Sequence, residues 1–123
     1  MKGSYIIYIE AKKDQVVGIG KLGDIKFRKG FYAYVGSAMN GVEARVARHL
    51  GKGKKRHWHI DYLLGKAKVV GALCIQSNRK VECSIAARLK EKFVGVPGFG
   101  CSDCKCQSHL FYSPALGDLI KGV

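Results

Sequence analysis

Residues 31–50, FYAYVGSAMNGVEARVARHL, change period half-way. Phe31 to Gly36 is aromatic and β-branched and reads as a strand closed by Gly36. From Met39 to Gly53, MNGVEARVARHLGKG, the pattern is helical. Asn40 or Gly41 starts this helix and Gly51 and Gly53 stop it. Val42, Val46 and Leu50 form its apolar stripe. Upstream, residues 4–11 read as a second strand. Residues 15–19 and 24–28 flank GKLGD, which predicts a hairpin or bulged turn around Gly20 and Gly23. Downstream, HWHIDYLLGKA reads as a helix, residues 68–76 as a strand and residues 80–93 as a third helix. That last helix carries Val81, Ile85, Leu89 and Phe93 at four-residue spacing. GVPGFGCSDCKCQ is a glycine- and cysteine-rich loop, SHLFY a strand, and the tail after Pro114 a short helix. The expected fold class is α+β, one domain over residues 1–123, with a small, mainly antiparallel sheet flanked by helices.

Charge points to the partner. Twenty-two Lys and Arg oppose 9 Asp and Glu, a net charge of +13. Such an excess suits a polyanion, because neutralised phosphates release counterions. No apolar run reaches the ~18–20 residues that span a bilayer, and no basic amphipathic helix has a Trp/Phe/Leu face. The N-terminal MKGSYIIYIEAKK reads as a strand, its apolar run being too short for a signal peptide. The expectation is a soluble cytoplasmic protein with no membrane partner.

Several side chains stand out chemically. On the helix after Gly36, Arg45, Arg48 and His49 share one arc, which would aim two guanidinium groups and an imidazole at one phosphate. The alternative is a solvated helix face. Glu82 falls within the apolar arc of the third helix, where a carboxylate needs a partner or a metal. Its alternative role is a first-turn glutamate complementing the helix dipole. Lys52, Lys54, Lys55 and Arg56, then His57, Trp58 and His59, form a basic run beside an aromatic. That run suits electrostatic steering plus one base-stacking platform, or a charged loop with Trp58 in the core.

Five cysteines, an odd number, exclude a fully paired framework within one chain. Cys74, in an apolar strand-like run, and Cys83, in a helix-like run, read as small hydrophobes. Cys101, Cys104, Cys106 and His109 offer a Cys₃His zinc set. All four come from one nine-residue loop, tight for a tetrahedron, so the alternative is cysteines lining a functional loop.

The order Gly3-Ser4-Tyr5, Tyr34-Val35-Gly36, Arg45 in VEARVARH, then a helix-borne Glu82, resembles the GIY-YIG endonuclease superfamily. The blocks RHWHIDYLL, VEC and GFGCSDCKCQSHLFY resemble a compact, standalone, nuclease-like branch of it. The resemblance covers nearly the whole chain. It implies a three-stranded antiparallel sheet flanked by helices. Tyr5 and Tyr34 would be the motif tyrosines, and Gly36 the glycine that lets the backbone turn beside the site. Arg45 would be the catalytic arginine, with His49 one turn later, and Glu82 the carboxylate that holds a divalent metal ion, Mg²⁺ or Mn²⁺. The implied activity is metal-assisted phosphodiester hydrolysis, of DNA rather than RNA, in repair or structure-selective processing. A tyrosine, helped by His49 or His59, would serve as general base. The alternative is a non-catalytic nucleic-acid-binding module on the same fold. Two departures stand out. Tyr5 and Tyr34 lie 29 residues apart, farther than in the family's homing and repair enzymes. Residues 12–30 therefore form an inserted hairpin, which would either cover the site or extend the sheet. The late asparagine of some members has no counterpart, and Ser108 or His109 stands in its region.

Overall fold

A computed structural model describes residues 2–51, 58–101 and 104–123. In chain order the elements are β1 (Gly3–Ala11), β2 (Gln15–Gly18), β3 (Asp24–Phe27), β4 (Gly30–Ala38), α1 (Val42–Leu50) and α2 (His59–Leu64). They continue with β5 (Lys68–Gln76), α3 (Glu82–Lys90), β6 (Val94–Gly95), β7 (Leu110–Ser113) and α4 (Leu116–Lys121). The fold is α+β. Five strands form one sheet in the order β5-β1-β4-β7-β6, and every pairing is antiparallel. The sheet is wider than the three strands that the resemblance implies. β5 and the two-residue β6 supply the edges.

β1 lies in the interior of this sheet and is buried on both faces, which is why its sequence is an almost unbroken apolar run. Alternation sorts its side chains. Ile6 and Tyr8 join Ala33 and Val35 of β4, Phe111, and Ile85 and Leu89 of α3 on one face. Tyr5, Ile7 and Ile9 join Tyr32 and Tyr34, Val42 of α1, and Ile60 and Leu63 of α2 on the other. Val81 and Phe93 flank α3 on the first of these cores, as the four-residue spacing predicts.

The insertion is a hairpin, β2 paired with β3, and it does neither thing expected of it. It forms a separate two-stranded sheet and so does not extend the main one. No residue of 12–30 lines the cavity described below. Instead Val17, Ile19 and Phe27 plug into the core on the α1 and α2 side. Burial of each such side chain contributes about 1.5–3 kcal/mol. Gly20 and Gly23 make the turn, with φ of 47° and 80° that other residues rarely adopt.

Two sequence expectations are corrected. β4 does not close at Gly36 but runs on to Ala38. Gly36 is an interior strand residue facing Tyr5. A Cβ there would collide with the Tyr5 ring and its hydroxyl, so the glycine provides space rather than a turn. On α1, Val42 is buried and Val46 packs on the core, but Leu50 is 58% exposed. Its place in the stripe is taken by His49, only 2% exposed. At ~100° per residue His49 lies about 20° from Val42 and Leu50 about 80° away.

The close approach at Gly36 yields a test. Gly36→Ala should cost about 1–3 kcal/mol of stability through overpacking, read by urea unfolding. In a Tyr5→Leu background, where the ring is gone, the same substitution should cost much less. Equal costs in both backgrounds would show that Tyr5 is not what the missing Cβ accommodates.

Candidate active site

At the end of the sheet where β1 begins and β4 ends lies a cavity of about 280 Å³. Its walls are Tyr5, Tyr34, Val35, Gly36, Ser37, Arg45, Trp58, His59, Glu82, Gly100 and His109. Strand register brings the two motif tyrosines together. Tyr5 pairs with Gly36 and Ile7 with Tyr34, so Tyr34 lies two residues along on the same face as Tyr5. Their ring centroids are 6.4 Å apart. With no Cβ at Gly36, the Tyr5 ring can lie down toward α1. There its hydroxyl meets His49 Nε2 at 2.8 Å. Burial pushes Tyr5 up to about 12, against the pull of Arg45 and Arg48 in the opposite direction. A phenol held that high keeps its proton, and Tyr5 O–H donates to His49 Nε2 in the tautomer that carries its proton on Nδ1.

The three residues of the α1 arc do not share one task. His49 is turned inward onto Tyr5. Arg48 makes a bidentate pair with Asp61 of α2, at 2.8 and 3.0 Å, and does not line the cavity. Arg45 does line it, and reaches the Ser37 carbonyl at 3.4 Å. The Trp58 ring carries both guanidinium groups, Arg45 at 4.4 Å and Arg48 at 4.3 Å from its centroid. Trp58 is half-buried against the core and also forms cavity wall.

Asp61 escaped the sequence reading. Its side chain is fully buried, and besides Arg48 it accepts the Trp58 backbone N–H at 2.9 Å, capping α2. The available signal was an acidic residue inside the apolar block IDYLL, which requires a partner.

Glu82 is the first residue of α3, is half-buried and lines the cavity. Oε2 is buried and accepts no hydrogen bond among the described residues. Its first-turn position also complements the α3 dipole. His59 accepts the Gly100 N–H on Nδ1 at 2.9 Å, which leaves its ring proton on Nε2. Lys52, Lys54, Lys55, Arg56 and His57 lie outside the described residues.

The cysteines are arranged otherwise than expected. Cys83, read as a small hydrophobe, comes from α3 to join Cys104, Cys106 and His109. Their ligand atoms all lie within 4.8 Å of one another and offer a metal ion three sulfurs and an imidazole. Cys101 is not among them, and its Sγ donates to the Phe99 carbonyl at 3.4 Å. Burial and the neighbouring thiols of Cys106 and Cys104 push Cys83 up to about 12. Cys83 was missed because its partners are distant in sequence and meet it only through packing of the loop on α3.

The model of the family described as "Domain of unknown function DUF123" matches residues 4–122. The chain belongs to the DUF123 family. No curated protein and no solved structure matches it. Every residue of the cavity and of the cysteine cluster falls inside the span that defines this DUF123 chain. None of its helices, among the described residues, is long and apolar enough to cross a membrane.

Burial lowers the affinity of His59 for a proton. The folded state therefore binds fewer protons at this site than the unfolded chain. Stability from this site is complete above the unfolded pKa of about 6.5 and is lost as pH falls below it. His59→Asn keeps an acceptor for the Gly100 N–H but cannot titrate. Between about pH 7.5 and about pH 5.5 the melting temperature should fall more for wild type than for His59→Asn. Parallel curves would mean that His59 contributes nothing to acid sensitivity.

Proposed function

We propose that this DUF123 chain is an endonuclease of GIY-YIG type that hydrolyses nucleic-acid phosphodiester bonds, DNA rather than RNA. One observation carries the reading: Tyr5, Tyr34, Arg45 and Glu82, remote in sequence, meet at one cavity. A binding surface has no use for a carboxylate whose buried Oε2 has no hydrogen-bond partner among the described residues, in a cavity that an arginine also lines, whereas phosphoryl transfer uses both.

The residues divide the work as follows. Arg45 donates to phosphate oxygens and stabilises the charge that builds on them. Tyr34 and the backbone at Gly36 and Ser37 shape the wall against which the phosphate rests. Tyr5, kept neutral by burial, relays a proton rather than ionising first. As the water oxygen bonds to phosphorus, its proton moves to Tyr5 Oη while the Tyr5 proton moves to His49 Nε2. The bond to the leaving oxygen breaks, and that oxygen is protonated by solvent. Glu82 fits a hard cation, since its buried Oε2 has no donor among the described residues and one carboxylate suits Mg²⁺ or Mn²⁺ with substrate oxygens and water completing the shell. Such an ion, when bound, supplies Lewis-acid polarisation of a phosphoryl oxygen. The net charge of +13 and the run from Lys52 to Arg56 provide sequence-independent grip on the backbone.

The burial that pushes Tyr5 to about 12 favours a second reading, a non-catalytic nucleic-acid-binding module, because such a phenol is a poor base by itself. Kinetics separates the two. With Mg²⁺ or Mn²⁺ and a panel of duplex, branched, nicked and single-stranded substrates, wild type should cleave. Glu82→Gln should abolish metal-dependent cleavage and keep duplex affinity. Arg45→Ala should lower the rate by about 10²–10³-fold. Tyr5→Phe, which breaks the relay, should lower it by about 10²–10⁴-fold. A wild-type rate in Glu82→Gln would remove this site from the chemistry. No cleavage by wild type on any substrate would leave the binding module as the better account. In either case, Lys54, Lys55 and Arg56 changed together to alanine should flatten log affinity against log salt by about 0.9 for each duplex phosphate no longer neutralised.

A further inference from the structure

The cluster of Cys83, Cys104, Cys106 and His109 has the composition and spacing of a closed structural metal site. A tetrahedral zinc with Zn–S about 2.3 Å and Zn–N about 2.0–2.1 Å sets sulfur and nitrogen about 3.5 Å apart. Cys104 Sγ and Cys83 Sγ stand 3.4 and 3.8 Å from His109 Nε2. The imidazole is already oriented for coordination. His109 Nδ1 lies 3.0 Å from the Val35 carbonyl oxygen, which can only accept, so Nδ1 carries the proton and Nε2 presents its lone pair to the sulfurs. The backbone of His109 is fixed as well, its N–H bonded to the Phe99 carbonyl and its carbonyl to the Val35 N–H, both at 2.9 Å. The objection that one loop cannot wrap a tetrahedron does not apply, because Cys83 closes the set from α3.

The geometry points to one Zn²⁺ per chain, bound by Cys83, Cys104, Cys106 and His109, that fastens the glycine- and cysteine-rich loop to the start of α3. Three thiol protons leave to solvent as the thiolates bind, so the filled site carries one net negative charge. Thiolates select zinc or a similarly soft ion over Mg²⁺, so this site and the Glu82 carboxylate would take different metals. Cys83 follows Glu82 directly, and His109 belongs to both the cluster and the cavity wall. The ion would thus hold two walls of the cavity in place without touching substrate.

The test needs no nuclease activity, so its outcome is separable from that of the proposed function. Zinc is quantified by elemental analysis in protein purified without added metal, and affinity is read by competition with a chromophoric chelator. Wild type and Cys101→Ser should each hold one zinc with similar affinity, and Cys83→Ser should bind at least tenfold more weakly. Because a serine variant can fail to fold, wild type is also loaded with Co²⁺. Tetrahedral thiolate coordination gives intense visible d–d bands and a near-ultraviolet charge-transfer band. Wild-type protein that neither contains nor takes up zinc overturns the inference. So does a weak, octahedral cobalt spectrum, or an equal loss of affinity in Cys101→Ser and Cys83→Ser.

Discussion

The close approach of the Tyr5 ring to Gly36 is the interaction on which the rest of the cavity depends. It requires a residue without a side chain at one position of β4, and a strand register that sets this position opposite Tyr5. Once both conditions hold, the remaining geometry follows. The phenol lies across the strand pair and reaches His49 on α1. Tyr34 falls on the same face by the two-residue period of the strand. A slip of one residue would send Tyr34 to the α3 side and dissolve the pairing of rings.

A second constraint holds the two helices of that face together. The Asp61 carboxylate is withdrawn from water, which is costly unless every oxygen is matched. Both oxygens take Arg48 in a fork, and one also takes the Trp58 amide. Trp58 is thereby held where its ring receives the guanidinium groups of Arg48 and Arg45. Arg48 gives up its freedom to this clamp, and Arg45 keeps its place on the cavity wall. Two arginines three residues apart thus differ in setting: Arg48 is paired with Asp61, and Arg45 lines the cavity.

Much of the fold was legible from local pattern. The strands read at 4–11 and 68–76 and the hairpin around Gly20 and Gly23 are observed with small differences in their ends. Tyr5, Tyr34, Arg45 and Glu82 could be picked out by the order of motifs, and they do converge. What was hidden is what tertiary packing decides. β6 is two residues long, and no periodicity exists at that length. The choice of His49 over Leu50 for burial turns on a rotation of α1 that the stripe alone does not fix. Asp61 and Cys83 look like an isolated acid and an isolated thiol until α1 meets α2 and the late loop meets α3.

The antiparallel pairings join distant parts of the chain: Gly3 with Gln76, Gly3 with Ala38, and Tyr34 with Leu110. Such non-local topology makes folding slow, because each closure loses chain entropy before new interactions compensate. The cavity draws its walls from both ends of that sequence, Tyr5 in the first strand and His109 beside the last. On a ribosome it cannot be complete until β7 has emerged and paired with β4. Until then the apolar faces of β1 and β4 lack part of their cover, and the nascent chain carries sticky strand surface. Tyr5 thus waits for His109, the last wall residue to be made, and the tempo of synthesis is written into the order of the strands.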